Sequence, residues 1–325
     1  MPPSSPHWLD PLVIKIAAFG PHFSEGWGDE TVLEDALNGH LTVRTDGPPV
    51  NPQFRTNLIR GTDLLRADAV FPSPLAEELP HCAQMAHARL WRRPGNGTLL
   101  LVYAATGEVN YFSRERVWLP LVEAGVDLLM LESPLYGRRA RPGQLGSALF
   151  TVADELHLVR GALAEGLALL RWGRHRYQNL AVAGASLGGY LSLLTAAHAP
   201  GPLQVFAFQV GVSPAPIFCD SVFSGLVHWK ALSRGMDSRD AARQKLHEVF
   251  TAVGDLRRYP QPGPGVAVSL KLFESDGFIS RENSQALIEH WGLRDVEWGP
   301  GGHVSPFLNP RRHLLPFVAQ RLSRL

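Results

Sequence analysis

From residue 98 onward one hydrophobic pattern repeats along the chain. Short apolar runs occur at 99–105 and 180–185, uninterrupted, and at 126–131, 203–210 and 266–273, with one or two polar residues each. A run with no polar alternation marks a strand covered on both faces. Between the runs, apolar positions recur at spacings of three and four, which predicts helices over about 113–123, 147–172 and 281–291, and another from just after Ser186 to just before Pro200. In the long helix, Leu156, Val159, Leu163, Leu167 and Leu170 share one side. A last strand at 295–298 and a helix over about 310–322 complete the pattern. Strands alternating with helices imply βαβ units, hence a mostly parallel sheet with helices on both faces and right-handed crossovers.

Upstream the pattern is weaker. Residues 64–71 and 85–91 alternate loosely between apolar and polar, as half-buried strands do. The Phe71-Pro72-Ser73-Pro74 segment reads as a connection, because prolines are poorly tolerated in a central strand. A helix is expected over 29–37, with Asp29 or Thr31 near its N-cap and Gly39 beyond its end. Residues 214–264 carry helical pieces and no strand, ending in Tyr259-Pro260-Gln261-Pro262-Gly263-Pro264. An excursion of that length between two strands reads as a helical cap or lid. The expected organisation is one domain over 1–325 with that cap inserted at 214–264.

Composition narrows the function classes. The chain has 325 residues, 45% hydrophobic and 19% charged, with a formal net charge of +1. That balance gives no electrostatic footprint for a nucleic-acid partner. The two cysteines, Cys82 and Cys219, form neither a disulfide framework nor a zinc pattern. The N-terminal apolar stretch at 11–19 is interrupted by Lys15 and preceded by Asp10, unlike a signal peptide. It reads as a helix packed on the domain. No stretch reaches the roughly 18 apolar residues of a membrane span. A cytoplasmic location is expected, with peripheral membrane contact through the N-terminal segment left open.

The candidate chemistry centres on Gly184-Ala185-Ser186-Leu187-Gly188-Gly189, where a buried strand passes directly into a helix. This is the pattern of a nucleophile elbow, a serine at the tip of a strained strand-to-helix turn. Gly184 and Gly188 keep side chains away from that turn. Leu187, next after the serine, offers a backbone N–H to an oxyanion. In open α/β sheets sites form beyond the carboxyl ends of the strands, where this reading also brings Thr106-Gly107, Asp276 and His303. Ser186, Asp276 and His303 follow the chain order Ser, Asp, His. Serine is a poor nucleophile while protonated, so His303 is expected to take its proton and Asp276 to orient the imidazole. Leu187 and a backbone N–H from Thr106 or Gly107 complete the expected oxyanion hole, each donor contributing roughly 3–4 kcal/mol. Glu274 competes with Asp276 but lies at the end of the strand, whereas Asp276 opens the loop.

These residues carry a resemblance. The chain is similar to the α/β-hydrolase domain-containing protein 18 family over most of its length. The marks are Glu25-Gly26-Trp27-Gly28, Phe71-Pro72-Ser73-Pro74, Thr106-Gly107-Glu108 and Leu131-Glu132-Ser133-Pro134-Leu135-Tyr136-Gly137, then the elbow, Ser275-Asp276-Gly277-Phe278-Ile279 and Gly302-His303-Val304-Ser305. The resemblance implies an α/β-hydrolase fold and the same three residues as a triad. Glu108 stands where the family pattern usually has aspartate.

Two further features bear on a pocket. Glu108 is expected at its wall, and Tyr136 reads equally as a wall residue or as a tyrosine that fixes the turn. Arg138, Arg139 and Arg141 form a basic run that reads either as a grip for an anionic head group or, preferably, as a solvated loop. The expected activity is serine-dependent cleavage of an acyl ester through an acyl-enzyme, on a small-molecule or lipid ester, without metal or organic cofactor. Alternatives are acyl transfer to an alcohol and a hydrolase-like binding protein without activity.

Overall fold

The computed structural model describes residues 6–16, 20–39, 50–59 and 63–324. The chain opens with α1 (Leu9–Ile16) and α2 (Glu30–Leu37), followed by β1 (Arg55–Leu58), β2 (Leu65–Pro72) and β3 (Met85–Arg92). Strands and helices then alternate: β4 (Thr98–Val102), α3 (Phe112–Trp118), α4 (Pro120–Glu123), β5 (Val126–Leu131), α5 (Val152–Arg174), β6 (Asn179–Ala185), α6 (Leu187–His198) and β7 (Leu203–Phe208). After β7 come α7 (Ala215–Cys219), α8 (Trp229–Leu232) and α9 (Arg239–Gly254), then β8 (Val266–Phe273), α10 (Arg281–Trp291) and β9 (Asp295–Gly299). Three short helices, α11 (Ser305–Leu308), α12 (Pro310–His313) and α13 (Leu315–Leu322), end the described chain.

Among the described residues, nine strands form one sheet in the order β1-β2-β3-β5-β4-β6-β7-β8-β9. β1, β2, β3 and β5 pair antiparallel in turn, and every pairing from β5 across to β9 is parallel. The direction of winding reverses at β4, which lies between β5 and β6. Such a switch point leaves a crevice beyond the carboxyl ends of the strands.

Alternation within the apolar runs decides the layers. Leu99 and Leu101 of β4 join a core with Leu163, Leu167 and Leu170 of α5, together with residues of α6 and α10. Leu100 and Val102 turn the other way and pack with Trp118, Leu121 and Val122 of α3 and α4 and with Phe317 and Val318 of α13. Both faces are therefore covered, as continuous apolar strands require. A third cluster joins Phe23, Leu33 and Ala36 of the N-terminal region to Phe218, Phe223, Leu246 and Phe250 of the excursion after β7. The N-terminal segment thus packs under that excursion.

The differences from the expected elements have local causes. Proline splits two helices that the pattern reads as continuous: Pro120 opens α4, and Pro310 and Pro316 sit in the first turns of α12 and α13. A proline N–H cannot continue a helix ladder but is not needed in a first turn. Pro72 belongs to β2, not to a connection; it is the last rung, opposite Met85, and β1 reaches only as far as Asp68. At Pro72 the strand is an edge, where proline is tolerated. β1, four residues long, has no counterpart in the sequence reading. Residues 17–19, the end of the N-terminal apolar stretch, lie outside the described residues.

Candidate active site

β6 ends at Ala185, and Ser186 takes φ 54° and ψ −121° before α6 begins at Leu187. A non-glycine residue in that region is strained and persists only where its surroundings hold it. Here the Ser186 N–H donates to Phe208 O at 2.9 Å, tying the turn to the end of β7. Close approach explains the flanking glycines: a Cβ at Gly184 would stand 2.2 Å from the Gly188 carbonyl. Ser186 is held at the tip because nothing larger fits beside it.

The three residues expected to act together are in contact. His303 Nε2 lies 2.9 Å from Ser186 Oγ, and His303 Nδ1 lies 2.8 Å from Asp276 Oδ2. An ionised carboxylate only accepts, so Nδ1 carries the proton and Nε2 is free to accept from the hydroxyl. Asp276 Oδ1 accepts N–H bonds from Phe278 and Ile279, both at 2.9 Å. Phe278 stacks on the imidazole, ring centroids 4.5 Å apart at 16°. The side chains of His303 and Asp276 are each 5% exposed, so the pair is shielded from water. Glu274 is exposed and lies outside this arrangement.

The expected oxyanion donors are also at the site. Leu187 and the Thr106-Gly107 turn line the same cavity as Ser186. As the first residue of α6, Leu187 has an N–H without an intrahelical partner. Among the described residues, the N–H groups of Thr106 and Gly107 meet no internal acceptor, whereas those of Glu108 and Val109 are used within the turn. Glu108 touches the cavity, but its carboxylate is engaged: it accepts from Ala105 N at 2.8 Å and from Ser113 Oγ. Its part is to shape the turn.

The two remaining expectations are corrected. Tyr136 stands behind the cavity wall, buried with Leu75, Leu79, Leu149 and Leu158 in a cluster against which the wall residues Val159 and Leu187 pack, and burial pushes its phenol far above the usual range. The basic run is paired rather than free to grip an anion, and it is solvated at Arg138 but not at Arg139. Arg138 pairs with Glu132, Arg141 with Asp154, and the fully buried Arg139 makes a bidentate pair with Glu165 while donating to the carbonyls of Glu132 and Ala83.

Three residues escape a sequence reading. Asp10 in α1 is fully buried and accepts from Gly277 N at 2.8 Å, His303 N at 2.9 Å and Val304 N at 2.9 Å. One carboxylate thereby joins the loop bearing Asp276 to the loop bearing His303. Arg114 in α3 donates to the carbonyls of Val102, Leu131 and Asn110, pinning the ends of β4 and β5 beside the Thr106-Gly107 turn. Glu155, in the first turn of α5, stands in the cavity wall.

The cavity encloses about 480 Å³ and is mainly apolar. Phe218, Phe223, Phe250 and Val253 enter its wall from the excursion after β7, opposite Leu163, Leu194 and Val210. Among the described residues no cluster of His, Cys, Asp and Glu could hold a metal ion, and no helix is long and apolar enough to cross a membrane.

Comparison with known proteins bears on this geometry. A family model described as alpha/beta hydrolase domain containing 18 matches residues 20–253, a span that includes Ser186 and the Thr106-Gly107 turn and ends before Asp276 and His303. An uncharacterized protein of Mycobacterium tuberculosis (strain H37Rv) is 24% identical over 204 residues, covering 59% of this chain and 45% of its own length. The match spans about half of that longer relative. Among solved structures, an acetyl xylan esterase from Paenibacillus sp. R4 superposes with a TM-score of 0.56 at 14% identity, over 96% of this chain and 97% of its own. Acetyl xylan esterase 1 from Thermoanaerobacterium sp. JW/SL YS485 superposes at 0.55 with 13% identity, over 93% and 96%. At these identities the likeness is one of fold, the α/β-hydrolase fold.

Proposed function

From its place in the alpha/beta hydrolase domain containing 18 family, to which the chain belongs, we propose that it is a serine hydrolase that cleaves acyl esters through an acyl-enzyme on Ser186. The observation that carries this reading is the continuous hydrogen-bonded line Ser186–His303–Asp276, with the serine on a strained elbow facing an apolar cavity.

In this mechanism Ser186 Oγ attacks the ester carbonyl carbon while His303 Nε2 takes the hydroxyl proton. Asp276 holds the proton on Nδ1 and stabilises the imidazolium, while two backbone N–H groups fix its other oxygen in place. The carbonyl oxygen, now negative, is met by the N–H groups of Leu187 and of Thr106 or Gly107. These donors are fixed before reaction, which is what makes such a hole effective. As the carbon–oxygen bond breaks, the imidazolium returns its proton to the leaving alcohol. Water then repeats the sequence, its proton passing to His303 and its oxygen to the acyl group, and Ser186 is regenerated.

The cavity supports a hydrophobic ester as substrate, since apolar wall favours burial of an acyl chain at about 25 cal/mol per Å². Residues 214–264 act as the cap over it, contributing Phe218, Phe223 and Phe250. Fluorophosphonate labelling tests the reading: the purified protein should be labelled on Ser186, and Ser186→Ala should take no label. A folded wild-type protein that stays unlabelled would sink it.

A further inference from the structure

The cavity holds a buried carboxyl group that the proposed chemistry does not use. Glu155 is 7% exposed and lines the cavity with Leu156, Val159, Leu187 and Tyr190. Among the described residues, no donor reaches its side chain; burial and the neighbouring Asp154 are what act on it, and they push its carboxyl up to about 7. Other buried carboxylates here are well supplied. Asp10 accepts three N–H bonds, Glu165 takes both arms of Arg139, and Asp154 takes Arg141 and closes the capping box of α5.

Of the nearby groups that could have answered Glu155, three are engaged elsewhere, while Tyr136 Oη, close enough for Glu155 to act on it, makes no hydrogen bond to it. Arg160, one turn along α5 and also in the wall, pairs with Glu78. Tyr190 Oη donates to Gly254 O at 2.8 Å, and Tyr259 Oη donates to Val253 O. The positive end of α5 does not account for the burial, because Asp154 already serves it. A buried polar group without a partner is costly and rare in native proteins, so a lone carboxyl facing a ligand cavity points to a ligand group that completes it.

We propose that Glu155 is a specificity residue of the ester site, and that it receives a hydroxyl group carried by the part of the substrate buried in the cavity. This rests on the serine-ester reading above. A hydroxyl fits better than an ammonium. It can donate and accept, and so pairs with the carboxyl in either protonation state. An ammonium would have to be stripped of water in an apolar cavity that also contains the Arg160 guanidinium. The substrate class is therefore a hydroxylated ester, with the hydroxyl on either the acyl chain or the alcohol.

Two matched series separate those sources: p-nitrophenyl esters of plain and ω-hydroxy acyl chains of graded length, and acyl esters of simple alcohols and the corresponding diols. With the full chain, the hydroxylated member should be favoured in kcat/KM by about tenfold or more in one series, because a site built around a hydrogen bond rejects the analogue lacking it. Glu155→Leu should abolish that ratio, and Glu155→Gln should keep most of it. A purely structural Glu155 would change both members of a pair equally. Equal turnover of plain and hydroxylated esters in both series by the wild type overturns the proposal, even if Glu155→Leu fails to fold. So does a preference that survives Glu155→Leu. No turnover in either series overturns it too, and fluorophosphonate labelling then separates the cases: a labelled Ser186 leaves the serine reading standing, an unlabelled one removes both.

Discussion

Replacing Asp10 by alanine tests how the proposed triad is held together. The change removes one carboxylate and strands three backbone N–H donors, the buried one of His303 and the partly buried ones of Gly277 and Val304. At about 1–2 kcal/mol per donor, since the vacated space admits water, the protein should lose about 3–6 kcal/mol of stability. The catalytic effect is separate. Asp276 and His303 sit on loops whose shared acceptor is Asp10, and a displacement of about 1 Å at a reacting group costs about 100-fold. The expected signature is a kcat reduced about 100-fold on a p-nitrophenyl ester with KM nearly unchanged, alongside a lower urea midpoint. Asp10→Asn should fall between, because its amide must turn an NH2 toward at least one backbone N–H. Gly302→Ala gives an independent perturbation of the same contact, since its Cβ would stand 2.5 Å from Asp10 Oδ2. Wild-type kcat and stability in Asp10→Ala would refute the reasoning.

Other outcomes follow from the same geometry. Asp276→Asn should lower kcat by orders of magnitude with the fold retained, while Glu274→Gln, at an exposed position, should change it little; steady-state kinetics on both variants decide. Gly184→Ala should destabilise the chain by more than about 4 kcal/mol or prevent folding, given the 2.2 Å clash with Gly188, and its circular dichroism and melting should reveal this. Glu155 makes a pH-dependent contribution. Between an ordinary carboxyl value of 4.5 and about 7, the unfolded chain releases this proton and the folded chain keeps it. Stability therefore falls as pH rises through that window, by roughly 3 kcal/mol in all. Glu155→Gln should match the wild type at about pH 4 and exceed it at about pH 8 in urea denaturation; identical curves at the higher pH would contradict the burial argument.

The sheet was largely legible in the sequence because its strands are buried on both faces, and a run such as Leu99-Leu100-Leu101-Val102 has few other uses. The serine, acid and histidine were legible because each follows a different strand and the order is constrained by the way an α/β sheet gathers loops at one end. What escaped depends on contacts distant in sequence. Asp10 looks like any acidic residue in the first turn of a short helix; its meaning comes from loops more than 260 residues away. Arg138, Arg139 and Arg141 read as a basic surface run until Glu165 and Asp154 arrive from α5 and the chain turns Glu132, six residues back, onto Arg138. Tyr136 follows a strand end, as pocket residues often do, but Leu135 before it takes φ 61° and the chain turns the ring into a separate core. Glu155 sits among the apolar positions of α5, and only the cavity shows that it lacks a partner.

The central claim is a covalent acyl group on Ser186. Incubation with a p-nitrophenyl ester, acid quench and mass spectrometry should find the intact protein heavier by one acyl group. Peptide mapping should place that group on the peptide containing Ser186, and Ser186→Ala should show no adduct. Ester turnover with no adduct under any quench, or an equal adduct on Ser186→Ala, would contradict the account.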